Sequence, residues 1–207
     1  MAKKDGTDPV VNRCMLVLGA SLLCCINPAA VLARAPDPIP PQAVWMSDAS
    51  ALALLPDALL RRWGLQLVLH RSSRQLLVLD HGRLRLRVPA AVGTDGWETP
   101  LGEHSVLSKT VDPTWKHPST GALVAPGGRN PLGSRWIAFH QDCSHPGGWD
   151  GEKVVQVTGC SHVGLHGTPH RWTVGRAVSH GCVRLYDEDI RTVFDLVRVG
   201  TPVVVLP

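Results

Sequence analysis

The 207-residue chain has no apolar run long enough to cross a bilayer comfortably as a helix, no internal repeat and no low-complexity tract. These absences set aside a multi-spanning membrane protein, a solenoid and a fibrous array. Strong charge of one sign is lacking too. The formal net charge is +4, and residues 1–35 carry Lys3, Lys4, Arg13 and Arg34 against Asp5 and Asp8, so it falls to +2 without them. Basicity therefore implies no nucleic-acid partner. Arg83, Arg85 and Arg87 alternate with Leu84, Leu86 and Val88, which reads as one solvated strand face rather than a phosphate-binding stripe.

What is present begins with an export pattern. Lys3, Lys4 and Arg13 precede an apolar run from Cys14 to Ile26, and Ala33-Arg34-Ala35 then supplies small residues ahead of Pro36. Cations, a short apolar run and a small-residue cleavage site predict a secretory signal peptide over residues 1–35. Membrane contact is expected only through this leader, whether cleaved or retained as an anchor. Leu22-Leu23-Cys24 puts a bulky Leu where a lipidated cysteine needs a small residue, so Cys14, Cys24 and Cys25 read as ordinary leader residues.

Proline is dense from Ala35 to Pro41, as expected of an extended spacer, and Ser47 to Trp63 reads as one or two short helices with Pro56 in a first turn. From Leu65 the period changes to two. Leu65, Leu67 and Leu69, then Leu77 and Leu79, then Leu84, Leu86 and Val88 predict three antiparallel strands with turns at Arg71-Ser72-Ser73 and His81-Gly82. Gly93 to Gly151 is rich in Gly, Pro, Trp and His and predicts strands joined by long structured loops. Further strands are expected at 154–157, 163–165 and 203–206. One helix is expected after Cys182, capped by Asp187, with Ile190, Val193, Phe194 and Val197 at helical spacing and Gly200 as its stop. The sum is a mainly β domain.

The chemistry concentrates in His166-Gly167-Thr168 and Ser179-His180-Gly181-Cys182-Val183-Arg184. A thiol is a useful nucleophile only when it can be deprotonated, so Cys182 needs a base within reach. His180, two residues away, and His166, on a separate strand end, are both candidates, and spacing does not choose between them. Gly181 lets the backbone pass close to a substrate, and the N–H groups of Gly181 and Cys182 can stabilise an oxyanion. Arg184 suits a bidentate contact with a carboxylate.

These motifs resemble the signature of the L,D-transpeptidase catalytic domain, the YkuD-type family of bacterial cell-wall enzymes. Thr99-Pro100-Leu101-Gly102 and Asn130-Pro131-Leu132-Gly133 extend the resemblance upstream. It implies a β-sandwich-like fold over residues 65–207, behind a spacer and short helical segment at 36–64. It also implies Cys182 as nucleophile, His166 as base, and the Gly167 carbonyl as the group orienting the imidazole. His180 is implied in a supporting role, Ser179 and Gly181 in shaping the oxyanion region, and Arg184 in binding a substrate carboxylate, where many relatives carry Asn. The implied reaction is acyl transfer from a peptidoglycan stem tetrapeptide to an amine, with release of D-alanine. Water as acceptor would make the same site a carboxypeptidase. No cofactor is implied. A monomer is expected, exported to the periplasm or cell wall.

Beyond the leader remain Cys143, Cys160 and Cys182, an odd number that fits one disulfide and one free thiol. Cys143 and Cys160 are then the bonded pair, against the alternative of two buried thiols. Arg184 has a structural alternative in an ion pair with Asp187 or Glu188. The tryptophans read as loop anchors and core fillers, except Trp172, which lies between the two motif halves and could wall a cleft. Two other classes compete with the enzyme. A zinc site could draw on His162, His166, His180 and Cys182, although a fully ligated thiolate leaves the glycine-rich surroundings unexplained. A non-catalytic wall-binding module is disfavoured by the intact Cys182 and His166.

Overall fold

The computed structural model describes residues 48–144, 147–150 and 152–207; the leader and the proline-rich stretch lie outside the described residues. Two short helices, α1 (Asp48–Ala53) and α2 (Asp57–Leu60), lead into fifteen strands with one longer helix near the end. The strands are β1 (Leu65–His70), β2 (Gln75–Asp80), β3 (Arg83–Pro89), β4 (Val92–Gly93), β5 (Gly102–Ser105), β6 (Ser108–Val111), β7 (Trp115–Lys116) and β8 (Leu123–Val124). They continue with β9 (Arg135–Asp142), β10 (Gly147–Trp149), β11 (Val154–Gln156), β12 (Ser161–His166), β13 (Ala177–Ser179), β14 (Val183–Arg184) and β15 (Pro202–Leu206). The fold is mainly β, and α3 (Asp187–Leu196) is the helix that follows Cys182.

Two sheets carry the architecture, one in the order β3-β2-β1-β15-β5 and the other β14-β12-β9-β6. The apolar runs of β1, β2 and β15 are nearly continuous because both faces of the first sheet are covered. Leu67, Leu69, Leu76, Val78, Val203 and Val205 point inward to a core shared with Ile137, Phe139, Leu165 and Val183 of the second sheet and with Ile190 and Val193 of α3. The alternate residues Val68, Leu77, Leu79 and Val204 pack outward under Ala51 of α1, Leu59 of α2 and Leu55 of the link between them. The expected β1–β2–β3 meander is antiparallel, and β15 joins β1 in parallel. On β3, Arg83 and Arg85 are exposed, while Arg87 is half-buried and pairs with Asp48 at 3.0 Å.

Helix α3 departs from expectation at both ends. Asp187 is its first residue and not its cap; the cap position is Tyr186, and Asp187 instead accepts the Ser134 N–H at 2.8 Å. The helix stops at Leu196, before Gly200, because Val197 turns extended. Lys109 Nζ reaches in from β6 to the freed carbonyls of Phe194 and Val197, at 2.6 and 2.5 Å, supplying a cation where the helix dipole is negative.

Candidate active site

Strand pairing brings the two motif halves together. β12 and β14 run parallel, with Leu165 opposite Val183 and His166 opposite Arg184. Leu165 and Val183 are 1% and 0% exposed, so alternation turns His166, Cys182 and Arg184 to the opposite face. There Cys182 and His166 are diagonal neighbours, and both line a cleft of about 1530 Å³ with Arg184, His180, Trp149 and Trp172.

His166 is buried, and its Nδ1 lies 2.5 Å from the carbonyl oxygen of Gly167. A carbonyl can only accept, so Nδ1 carries the proton and Nε2 is left as the basic lone pair. Burial, opposed by the Gly167 bond and assisted by the Arg184 charge, lowers the imidazole pKa to about 4. At neutral pH it is therefore uncharged. Burial pushes the Cys182 thiol above its ordinary value, with the Gly164 backbone N–H and Arg184 pulling the other way. The resting pair is thus a thiol and a neutral imidazole.

The cysteine loop is braced from several sides. Gly181 has φ +100°, a conformation L side chains rarely adopt. Its carbonyl accepts a 2.9 Å bond from Thr99 Oγ1, which in turn accepts the Gly93 N–H at 3.1 Å. Ser179, fully buried, donates its hydroxyl to the Cys182 carbonyl at 2.5 Å. His180 stacks on Trp149 with ring centroids 4.8 Å apart and planes 10° apart, and the edge of Trp97 meets it at 5.2 Å. His180 thus sits in an aromatic slot, with its pKa lowered by burial and by Arg184.

His166 has its own supports. Trp136, opposite His166 on β9, lies 5.8 Å from its ring, across a strand position where a side chain in place of Gly164 would meet the indole at 2.8 Å. Asn130 is fully buried and donates Nδ2 to the carbonyls of Pro113, Val124 and Ala125, while its Oδ1 accepts the Leu132 N–H. The turn it ties off delivers Gly133 onto Gly167. A Cβ at Gly133 would come within 2.7 Å of the Gly167 backbone, and one at Gly167 within 2.3 Å of Asp187 Oδ1.

The model of the YkuD family, the L,D-transpeptidase catalytic domain, matches residues 66–205. The chain belongs to that family. It is 29% identical over 138 residues to the putative L,D-transpeptidase YqjB of Bacillus subtilis, covering 67% of this chain and 69% of that one. It is 30% identical over 182 residues to the probable L,D-transpeptidase YcfS of Escherichia coli, covering 81% of this chain but half of the relative. The alignment with the putative L,D-transpeptidase YkuD of Bacillus licheniformis spans 62% of that protein. Among solved structures, LD transpeptidase LdtMt1 in complex with imipenem shares the fold at TM-score 0.50 and 22% identity, over 69% of this chain and 59% of that one.

In this L,D-transpeptidase domain Cys143 and Cys160 form a disulfide and Cys182 is a free thiol. The carboxylates considered as partners for Arg184 are engaged elsewhere, Asp187 with Arg191 and Glu188 with Arg171, both at 2.8 Å. Arg184 accordingly presents its charge to the cleft. His162 also lines the cleft but is exposed, and among the described residues no three His, Cys, Asp or Glu side chains form a metal-holding group. Of the reading of the tryptophans as loop anchors and core fillers, the core-filling half is corrected: Trp97, Trp115 and Trp149 are only half-buried and join Trp172 in lining the cleft, and Trp172 is 64% exposed. Sequence reasoning also gave no role to Thr99 and Asn130 beyond their motifs. Their signal was a small polar residue fixed ahead of proline, which favours side-chain bonds to nearby backbone.

Proposed function

We propose that the chain is an exported, cysteine-dependent peptidoglycan L,D-transpeptidase. The observation that carries this reading is the buried neutral imidazole of His166, with Nδ1 committed to Gly167, on the same cleft face as Cys182. Cys182 Sγ attacks the carbonyl carbon of the L-centred third residue of a stem tetrapeptide and passes its proton to His166 Nε2. The N–H groups of Gly181 and Cys182 receive the oxyanion. Collapse expels D-alanine, whose amine takes the proton from Nε2, and leaves a thioester on Cys182. An acceptor amine then attacks the thioester, gives a proton to Nε2, and releases the sulfur, which regains that proton as the cross-link leaves. Arg184 holds a substrate carboxylate.

Export rests on the leader pattern and agrees with a Cys143–Cys160 disulfide, a bond that persists in oxidising compartments. The test is incubation of the protein with defined tetrapeptide muropeptides, with products read by mass spectrometry. Release of D-alanine with cross-linked dimer is expected, and Cys182→Ala and His166→Ala should each abolish it with the fold intact by circular dichroism. Cross-linking retained in either variant would sink the mechanism. Tripeptide alone, without dimer, would make water the acceptor and the protein a carboxypeptidase.

A further inference from the structure

The disulfide closes a segment that has no core of its own. None of the described residues from Cys143 to Cys160 is buried, and the segment's regular structure is a two-stranded ribbon pairing Gly147–Trp149 with Val154–Gln156. A ribbon of that size is marginal by itself. Its packing against the body includes Gly148, where a Cβ would meet Pro118 at 2.9 Å. Yet this ribbon supplies Trp149, the stacking partner of His180.

His180 is the part of the cysteine loop that the body holds least. Thr99 fixes the Gly181 carbonyl and Ser179 the Cys182 carbonyl, but the His180 ring is held by aromatic contact, in a corner where Trp149 from the ribbon stacks on it and Trp97 from the body meets both rings near a right angle. Trp97 is anchored by its N–H bond to the Thr94 carbonyl at 2.9 Å. Trp149 has the cross-link at the base of its segment, 17 residues across, to restrict where it can go.

We propose that Trp149 is a positioning residue for the Cys182 nucleophile, acting through His180, and that the Cys143–Cys160 disulfide holds it there, so that the reactivity of Cys182 depends on an oxidised environment. This rests on the reading of Cys182 as the acyl-accepting nucleophile. A dithiol reductant would break the Cys143–Cys160 bond, converting both sulfurs to thiols while its own two thiols become a disulfide. The ribbon would then keep only the Asp142–Ser161 strand pairing at its base, and the Trp149 stack on His180 would loosen.

The experiment compares the full chain with Trp149→Ala, Trp149→Phe, a Cys143→Ser/Cys160→Ser double variant, and that double variant combined with Trp149→Ala. Two quantities are read: the rate of Cys182 alkylation by iodoacetamide, and the His180 titration by NMR. Neither requires a peptidoglycan substrate, so a failure here is separate from a failure to cross-link muropeptides. Loss of the stack is expected to change the alkylation rate roughly tenfold, as one aromatic pair can. It should also raise the His180 pKa toward that of a free histidine in Trp149→Ala and in the disulfide-free protein alike. Trp149→Phe, which keeps a stacking ring, should return most of the change. The combined variant should be no worse than either parent, because both remove the same contact. A disulfide-free protein with the wild-type alkylation rate and His180 titration would overturn the proposal, as would effects that simply add in the combined variant.

Discussion

His166 donates its Nδ1–H to the carbonyl of Gly167, the next residue along the chain, so the residue that ends strand β12 is oriented by the one that follows it. The tautomer is then fixed before any substrate arrives. Because burial holds the imidazole near pKa 4, the acid limb of kcat/KM is expected with a midpoint close to pH 4. A pH–rate profile for thioester formation measures this directly. A midpoint at the ordinary histidine value, about 6.5, would show that the ring is solvated in the free enzyme.

The same depressed pKa sets a stability trend. An unfolded His166 binds a proton from about pH 6.5 downward and the folded one only near 4, so the stability present above 6.5 is lost as pH falls across that interval. The full effect is about 3 kcal/mol. Asp189 works in the opposite sense: burial and the Glu188 charge raise its pKa to about 6, so the fold takes up its proton first and gains as pH falls from 6 toward 3.8. Asp189→Asn should therefore be more stable than wild type at pH 7 and steeper in its loss of stability between pH 6 and 4. Urea midpoints across pH 4–7.5 provide the check.

Thr99 ties the strand β4 backbone to the cysteine loop through two bonds. Thr99→Val keeps the shape but leaves the buried Gly181 carbonyl and Gly93 N–H without their partner, costing about 1–3 kcal/mol. The rate of Cys182 alkylation by iodoacetamide, followed by intact mass, should change as well. A wild-type alkylation rate in a destabilised variant would separate the brace from the chemistry.

Gly167 has no room for a side chain because Asp187 Oδ1 occupies the space a Cβ would take. Gly167→Ala is expected to destabilise by about 1–3 kcal/mol through overpacking. Asp187→Ala removes the obstruction along with its Ser134 bond. In that background Gly167→Ala should cost measurably less, and a double-mutant cycle of thermal melts gives the coupling. Strict additivity would place the strain elsewhere.

Much of the fold was legible because it is written in short-range patterns. Period-two leucines marked β1 to β3, and the spacing of Ile190, Val193 and Val197 marked α3. The ends of α3 are not legible, since Lys109, distant in sequence, meets the freed carbonyls at its C-terminus and the Ser134 N–H, equally distant, takes up the Asp187 carboxylate at its start. Whether a tryptophan fills the core or lines the cleft is illegible for a related reason. An aromatic residue in a Gly-rich loop has the same local signature whether the loop folds over a core or over a cleft.

By itself the sequence determined the residue types at the reacting centre and the order of their motifs, because thiol chemistry demands a cysteine, a base and a close-approaching glycine backbone. Spacing left two histidines as candidates for a base, and the family resemblance alone implied His166. Tertiary structure gave the two rings different surroundings: parallel pairing of β12 with β14 puts His166 on the Cys182 face with one nitrogen committed, while His180 packs in a corner formed by Trp97 and Trp149. Protonation and orientation depend on burial and on partners far along the chain, and spacing in sequence encodes neither.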